Sequence, residues 1–103
     1  YTGAAGPPGP DKCIAFGRIA ANGTILSGSG NFTCVWEESL SRFIITISRE
    51  DYHYANYTTI VTPVYNLYTR FYHDSLGGSL LIYYVFWAPY LPEAKFNFVV
   101  FKQ

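Results

Sequence analysis

Short runs of β-branched and aromatic residues, separated by turn residues, occupy the chain from Lys12 onward. Runs of this length and composition are typical of β-strands, and no window has a sustained helical period. Asn22-Gly23 favours a tight hairpin turn, and Gly77-Gly78 marks another turn. The sequence therefore predicts an all-β fold with very little helix. The predicted strands are 13–20, 24–26, 32–37, 42–48, 57–64, 67–73, 79–87 and 95–102.

The last of these strands carries apolar side chains on both faces. Phe96, Phe98 and Val100 share one face, while Val99 and Phe101 lie on the other. Half of the chain is hydrophobic, and only 14% is charged, against about 25% in ordinary soluble domains. An isolated antiparallel β-sandwich would leave the second face in water, whereas an oligomer buries it. We therefore expect a compact sandwich that associates with copies of itself, with Phe98 in its core.

Three Gly-X-Y triplets in register, GAAGPPGPD, occupy residues 3–11. Only Gly fits at the axis of a collagen triple helix, and Pro favours the conformation of its chains. The alternative interpretation is a Pro/Gly linker. Because a collagen stalk needs three chains, the triplets predict a homotrimer. We accordingly divide the chain into the end of a collagen-like stalk, residues 1–11, and a globular β head, residues 12–103.

Length and charge exclude several classes of protein. A chain of 103 residues holds one small domain, which is too short for a two-domain enzyme. Its formal net charge is zero, so there is no overall attraction to nucleic acid or to an anionic membrane. The longest apolar run, 80–89, is about half of the roughly 20 residues that a membrane-spanning helix needs. We expect neither a nucleic-acid partner nor membrane insertion.

The sequence contains no recognisable catalytic or metal-binding motif. It has no CxxC pair, HExxH spacing, nucleophile elbow or phosphate-binding glycine loop. His53 follows two acidic residues and His73 precedes Asp74, but adjacent residues of a strand point to opposite faces. We therefore predict a binding protein rather than an enzyme, with no cofactor and no metal.

Two cysteines leave two alternatives open. Cys13 and Cys34 could form a disulfide, whose loop of about 20 residues would stabilise the fold by roughly 3 kcal/mol. They could equally be two free thiols packed in the sandwich.

Arginine and aromatic residues in turns and on polar strand faces are the candidate ligand contacts. A guanidinium group binds sulfate and carboxylate through two parallel hydrogen bonds, and Tyr offers a flat ring with a hydroxyl, which suits a sugar. Three copies of a weak site would add avidity on a repetitive polymer. The alternative is that these residues only solubilise the surface or form subunit contacts. The candidates are Arg42, Arg49, His53, Tyr54, Arg70, Tyr72 and His73.

Several short motifs follow one another along the head. They are AFGRI at 15–19, NGTI at 22–25, RFIITI at 42–47, YANY at 54–57, VTP at 61–63 and FNFVVF at 96–101. In this order and spacing they resemble the C-terminal head domains of phage tail fibres and of bacterial collagen-like surface proteins, such as the collagen-like adhesin of Legionella. The resemblance covers nearly the whole head.

This resemblance implies a trimeric β-sandwich head that trimerises its stalk and attaches to a host-surface polysaccharide, such as a sulfated glycosaminoglycan. It also implies an extracellular location, on a bacterial cell surface or a virion fibre. The two cysteines, the many tyrosines and residues 65–74 depart from that family's pattern. The stretch GNFTC at 30–34 is similar to complement-type heads, but a head of about 92 residues is short for their larger jelly roll. Three functions stay open: an adhesin, a phage receptor-binding tip, or a purely structural trimerisation cap.

Overall fold

The computed structural model describes residues 12–64, 69–86 and 95–103. The Gly-X-Y triplets lie outside the described residues. So do residues 67 and 68 of the sixth predicted strand and Trp87 of the seventh. Within the described residues the chain forms mostly strands and one 3-10 turn at Glu38–Leu40. All eight predicted strands are confirmed. The sixth differs most, because it continues to Leu76 instead of ending at His73. The strands are β1 (Lys12–Ile19), β2 (Ile25–Gly28), β3 (Phe32–Glu37), β4 (Arg42–Ile47), β5 (Tyr57–Pro63), β6 (Thr69–Leu76), β7 (Ser79–Phe86) and β8 (Phe96–Lys102).

The strands form two four-stranded antiparallel sheets. Sheet A has the order β2-β1-β8-β5, and sheet B has the order β3-β4-β7-β6. Tight connections join β1 to β2, β3 to β4 and β6 to β7, and Gly77 and Gly78 of the last one both have a positive φ. The last strand, β8, lies between β1 and β5. The described part of the chain therefore contains the predicted antiparallel sheets, and its first and last strands, β1 and β8, lie side by side.

The two sheets share one apolar core. Phe43, Ile45 and Ile47 of β4 are fully buried, as their alternation predicts. From sheet A, Phe96 and Phe98 meet the rings of sheet B, with 4.8 Å between the centroids of Phe43 and Phe96. The prediction that Phe98 is a core residue is thus confirmed. Burial of these alternating side chains is the main term that holds the two layers together.

A partly buried polar cluster lies at one end of this core. The hydroxyl of Tyr57 donates to Glu50 Oε1 at 2.8 Å, and Lys102 Nζ lies 3.2 Å from the same oxygen. Tyr57 is only 7% exposed and its ring is stacked on that of Tyr52, 4.9 Å away. Burial, together with the hydrogen bond to Glu50 and its negative charge, raises the pKa of Tyr57 to about 12. The phenol is therefore held in its neutral form.

Alkaline pH should weaken the fold through this cluster. The ordinary pKa of Tyr is near 10, so between pH 10 and 12 the unfolded chain loses a proton that the folded chain keeps. The stabilisation is complete below pH 10 and is lost as pH rises to 12. We expect Tyr57→Phe to show a smaller fall in melting temperature over this window than the wild type. Tyr54→Phe, which alters an exposed side chain, should retain the wild-type fall. Equal falls in wild type and Tyr57→Phe would contradict the assignment.

Candidate functional site

The outer face of sheet B carries a row of polar and aromatic side chains, one from each strand. Register pairing aligns Glu37 of β3 with Arg42 of β4, Arg42 with Tyr83 of β7, and Tyr83 with Tyr72 of β6. Directly paired residues in an antiparallel sheet project to the same side. We call these four residues the Tyr/Arg row.

Contacts between neighbours make this row continuous. Arg42 Nε donates to Glu37 Oε1 at 2.5 Å, and Arg42 Nη1 donates to the Tyr83 hydroxyl at 3.0 Å. The guanidinium carbon of Arg42 lies 6.0 Å from the Tyr83 ring centroid. On its other side, the Tyr83 ring lies almost parallel to Tyr72, with an interplanar angle of 8° and 5.3 Å between centroids. Tyr83 is therefore fixed between a cation and a second ring.

Arg42 is a candidate ligand residue that the structure places inside this network. Its side chain is only 15% exposed, and the hydrogen bonds to Tyr83 and Glu37 raise its pKa. Because its guanidinium group is hydrogen-bonded to both neighbours, Arg42 is placed to orient Tyr83. Its contribution to ligand contact would be through the ring that it holds.

Arg70 and Tyr72 present their side chains on the exposed part of this face. Both are on the edge strand β6, two residues apart, and are therefore on the same side of the sheet. Tyr72 is 52% exposed, and Arg70, which is also exposed, pairs in register with Val85. Asp74 follows on the same side. A guanidinium, a phenol ring and a carboxylate thus succeed one another at intervals of roughly 7 Å along the strand.

Three further candidates lie in the connection between β4 and β5. Arg49 occupies an exposed turn with a φ of 67°. The rings of His53 and Tyr54 are stacked, with 4.6 Å between centroids, and the Tyr54 amide donates to Ser75 Oγ at 3.2 Å. This connection follows the end of β4, whereas Arg42 begins that strand. It therefore lies at the opposite end of sheet B from Arg70 and does not join the Tyr/Arg row.

His73 is separated from its neighbours by the pleat of β6. Its register partner is Ile82, a fully buried residue, so His73 lies on the core side of this edge strand. Partial burial lowers its pKa, although the charge of Asp74 acts in the opposite direction. The candidates Arg42, Arg70 and Tyr72 are thus brought together, while Arg49, His53 and Tyr54 form a second group and His73 lies apart from the outer face.

The cysteines are both free thiols, so the predicted alternative of a Cys13–Cys34 disulfide is not formed in the structure. Cys13 is on β1 of sheet A, and Cys34 is on β3 of sheet B. Burial raises the pKa of the Cys34 thiol to about 12, which leaves it almost entirely protonated at neutral pH.

Within the residues that the structure describes, no group of three or more His, Cys, Asp or Glu side chains is arranged to hold a metal ion. No helix in the described ranges is long and apolar enough to cross a membrane.

Sequence reasoning missed Glu37 and Tyr83, which complete the Tyr/Arg row. Glu37 lies only five residues before Arg42, across a tight connection, and this spacing was a usable signal for a cross-strand ion pair. Tyr83 is 41 residues from Arg42, and its position follows only from the pairing of β4 with β7.

Comparison of the chain with protein-family models, with curated proteins and with solved structures finds no match. The chemistry of the exposed faces is therefore the basis for assigning a function.

Proposed function

We propose that this chain is the trimeric, ligand-binding head of a collagen-like surface fibre and that it attaches the fibre to an acidic host-surface polysaccharide, such as a sulfated glycosaminoglycan. The observation that carries the binding part is the Tyr/Arg row with Arg70 beside it, on the exposed face of sheet B. The trimer and the fibre are supported by the Gly-X-Y triplets at residues 3–11. The proposed location is extracellular, on a bacterial surface or a virion fibre.

Binding rather than catalysis suits the chemistry of this face. Tyr72 offers an exposed ring to a sugar, and its neighbour Tyr83 is already oriented by Arg42, so little side-chain entropy is lost on binding. Arg70 adds a guanidinium fork for a sulfate or carboxylate group. Because the formal net charge is zero, attraction to an acidic polymer must come from such local groups. Three copies on one stalk would bind a repetitive chain with avidity.

Heparin affinity measured over a salt series tests this proposal. We expect the wild-type chain to bind at low salt and to weaken as salt screens the arginine contacts, since the Debye length falls from about 10 Å at 0.1 M to about 3 Å at 1 M. Arg70→Ala and Tyr72→Ala should each weaken binding by about tenfold, as for the loss of one charged hydrogen bond or one ring contact. Arg70→Lys should also weaken it, because the planar fork is lost while the charge is kept.

Arg49→Ala is the matched control, since it removes the same charge from the far end of sheet B. If Arg49→Ala weakens binding while Arg70→Ala and Tyr72→Ala do not, the ligand site lies in the β4–β5 connection instead. If the wild type binds no acidic glycan at low salt, the proposed ligand class is wrong. A neutral-sugar receptor or a purely structural cap, the second candidate that the triplets favour, would then take its place.

A further inference from the structure

We propose that the outer face of sheet A is the surface through which three copies of this chain associate. This inference rests on the trimer in the proposed function, and it adds which face the copies bury. The occupant of the face is therefore a second copy of the same chain.

A row of apolar side chains crosses the middle of this face. Phe16 of β1 pairs in register with Val99 of β8, which pairs with Ile60 of β5, so the three project to the same side. Phe101 lies two residues along β8 on that side. We call these four residues the apolar patch. Phe16 is 47% exposed and Ile60 is 51% exposed, which leaves large apolar side chains in water in a single copy of the head.

The outer face of sheet B is arranged differently. It also has an apolar row, in which Val35 pairs in register with Ile44 and Ile44 with Leu81, but of these three only Val35 is exposed. The neighbouring row carries Glu37 and Arg42, and the exposed Val85 pairs in register with Arg70. Its apolar groups are thus interleaved with charged ones. On sheet A, by contrast, both ends of the apolar row, Phe16 and Ile60, are exposed, and exposed contiguous apolar surface marks an interaction site.

The face also offers a shape into which a partner could fit. A shallow depression of about 330 Å³ lies beside Phe16 and Val99, and its lining includes Arg18. Arg18 Nε donates to Asn97 Oδ1 at 2.9 Å, so this cation on the border of the patch has a polar partner on its own sheet. A second copy would therefore contact apolar side chains and, at their border, an arginine that already has a hydrogen-bond partner.

The position of the triplets identifies the occupant. The third triplet ends at Asp11, and β1 begins at Lys12. A triple helix built on the triplets would hold three chains side by side, and three copies of β1 would then start next to one another around one axis. β1 carries Phe16, and it pairs directly with β8, which carries Val99 and Phe101. The strand that follows the triplets, β1, and its neighbour β8 thus carry three of the four residues of the apolar patch, and the fourth, Ile60, pairs in register with Val99.

Two single substitutions, each of which replaces an exposed apolar side chain with glutamate, test this inference on the full 103-residue chain. We expect the wild type to have three times the 11.6 kDa chain mass by light scattering at micromolar concentration. Ile60→Glu, in the apolar patch, should reduce the mass to that of one chain. Val35→Glu is the matched control, because Val35 is 56% exposed on a strand of sheet B, and it should leave the mass threefold. Far-ultraviolet circular dichroism checks that each variant is folded.

A second measurement applies if Ile60→Glu does not fold. In a Cys13→Ser background, Ile60→Cys and Val35→Cys are labelled with a maleimide at neutral pH. The inference expects labelling at position 60 to be at least tenfold slower than at position 35. Comparable labelling at both positions, or a threefold mass in folded Ile60→Glu, overturns the assignment of this face while the trimer stands. A wild-type mass of one chain overturns both the trimer of the proposed function and this inference.

Discussion

Replacing Phe98 with alanine is expected to lower the free energy of unfolding by about 3–5 kcal/mol, the range for removing a large aromatic ring from a core. Phe98 is 1% exposed, and its ring meets Phe32 edge to face with 5.0 Å between centroids. Because Phe32 belongs to sheet B, the lost ring leaves a cavity between the two sheets. Because backbone hydrogen bonds hold the neighbouring strands in place, these strands can fill the cavity only in part.

Urea denaturation at a fixed chain concentration measures this effect, since an associating protein has a concentration-dependent stability. Val35→Ala serves as the control, because its side chain is 56% exposed on the outer face of sheet B. We expect that change to shift the unfolding free energy by no more than about 0.5 kcal/mol. If the two variants lose similar amounts, Phe98 does not support the core as its burial indicates.

The second large effect is expected from Gly28→Ala, where two penalties combine. Gly28 has a φ of 152°, which L side chains rarely adopt. An added Cβ would also press on the carbonyl oxygen of Phe16 and lie 2.9 Å from the Cα of Gly17. Both neighbours are backbone atoms of the adjacent strand β1, so they cannot rotate away. Strain and overpacking each cost about 1–3 kcal/mol, and we expect a loss of about 2–6 kcal/mol in total.

Gly30→Ala separates these two penalties. Gly30 also has a positive φ, 84°, but a Cβ added there would meet nothing within 4 Å. We therefore expect it to cost only about 1 kcal/mol, as for backbone strain alone. The comparison is made by the same urea titration. Equal losses in the two variants would mean that the close approach of β2 to β1 at Gly28 is not tight.

The strands were predictable because each is a short run in which the alternation of apolar residues is visible locally. The inward positions of Phe43, Ile45 and Ile47 followed directly from this period of two. The order of strands in each sheet was not predictable, because β4 pairs with β7 although β5 and β6 lie between them in the sequence. Long-range pairing of this kind leaves no local trace in one sequence.

The same limit explains which parts of the candidate site were predicted. Arg70 and Tyr72 were proposed as ligand contacts because arginine and tyrosine on a polar strand face suit an acidic sugar, and the structure places both on the exposed outer face of sheet B. Arg42 was proposed by the same argument, but the sequence could not show that Tyr83 and Glu37 engage its guanidinium group. His73 was placed among the ligand contacts although the pleat of β6 turns it toward the core side, and only its pairing with Ile82 reveals this.

The central position of β8 in sheet A also determines the order in which the two sheets can form during synthesis. All four strands of sheet B have been synthesised once the ribosome has passed Phe86. In sheet A, β1 can pair with β2 early, but β5 pairs only with β8, and β8 also joins β5 to β1. Sheet A therefore cannot form until β8 has been synthesised, and its long-range strand pairs form slowly. Val99 and Phe101 of the apolar patch belong to that strand, so nascent chains would begin to assemble only after β8 has left the ribosome. In the proposed trimer, association of the three chains would then follow the formation of sheet A.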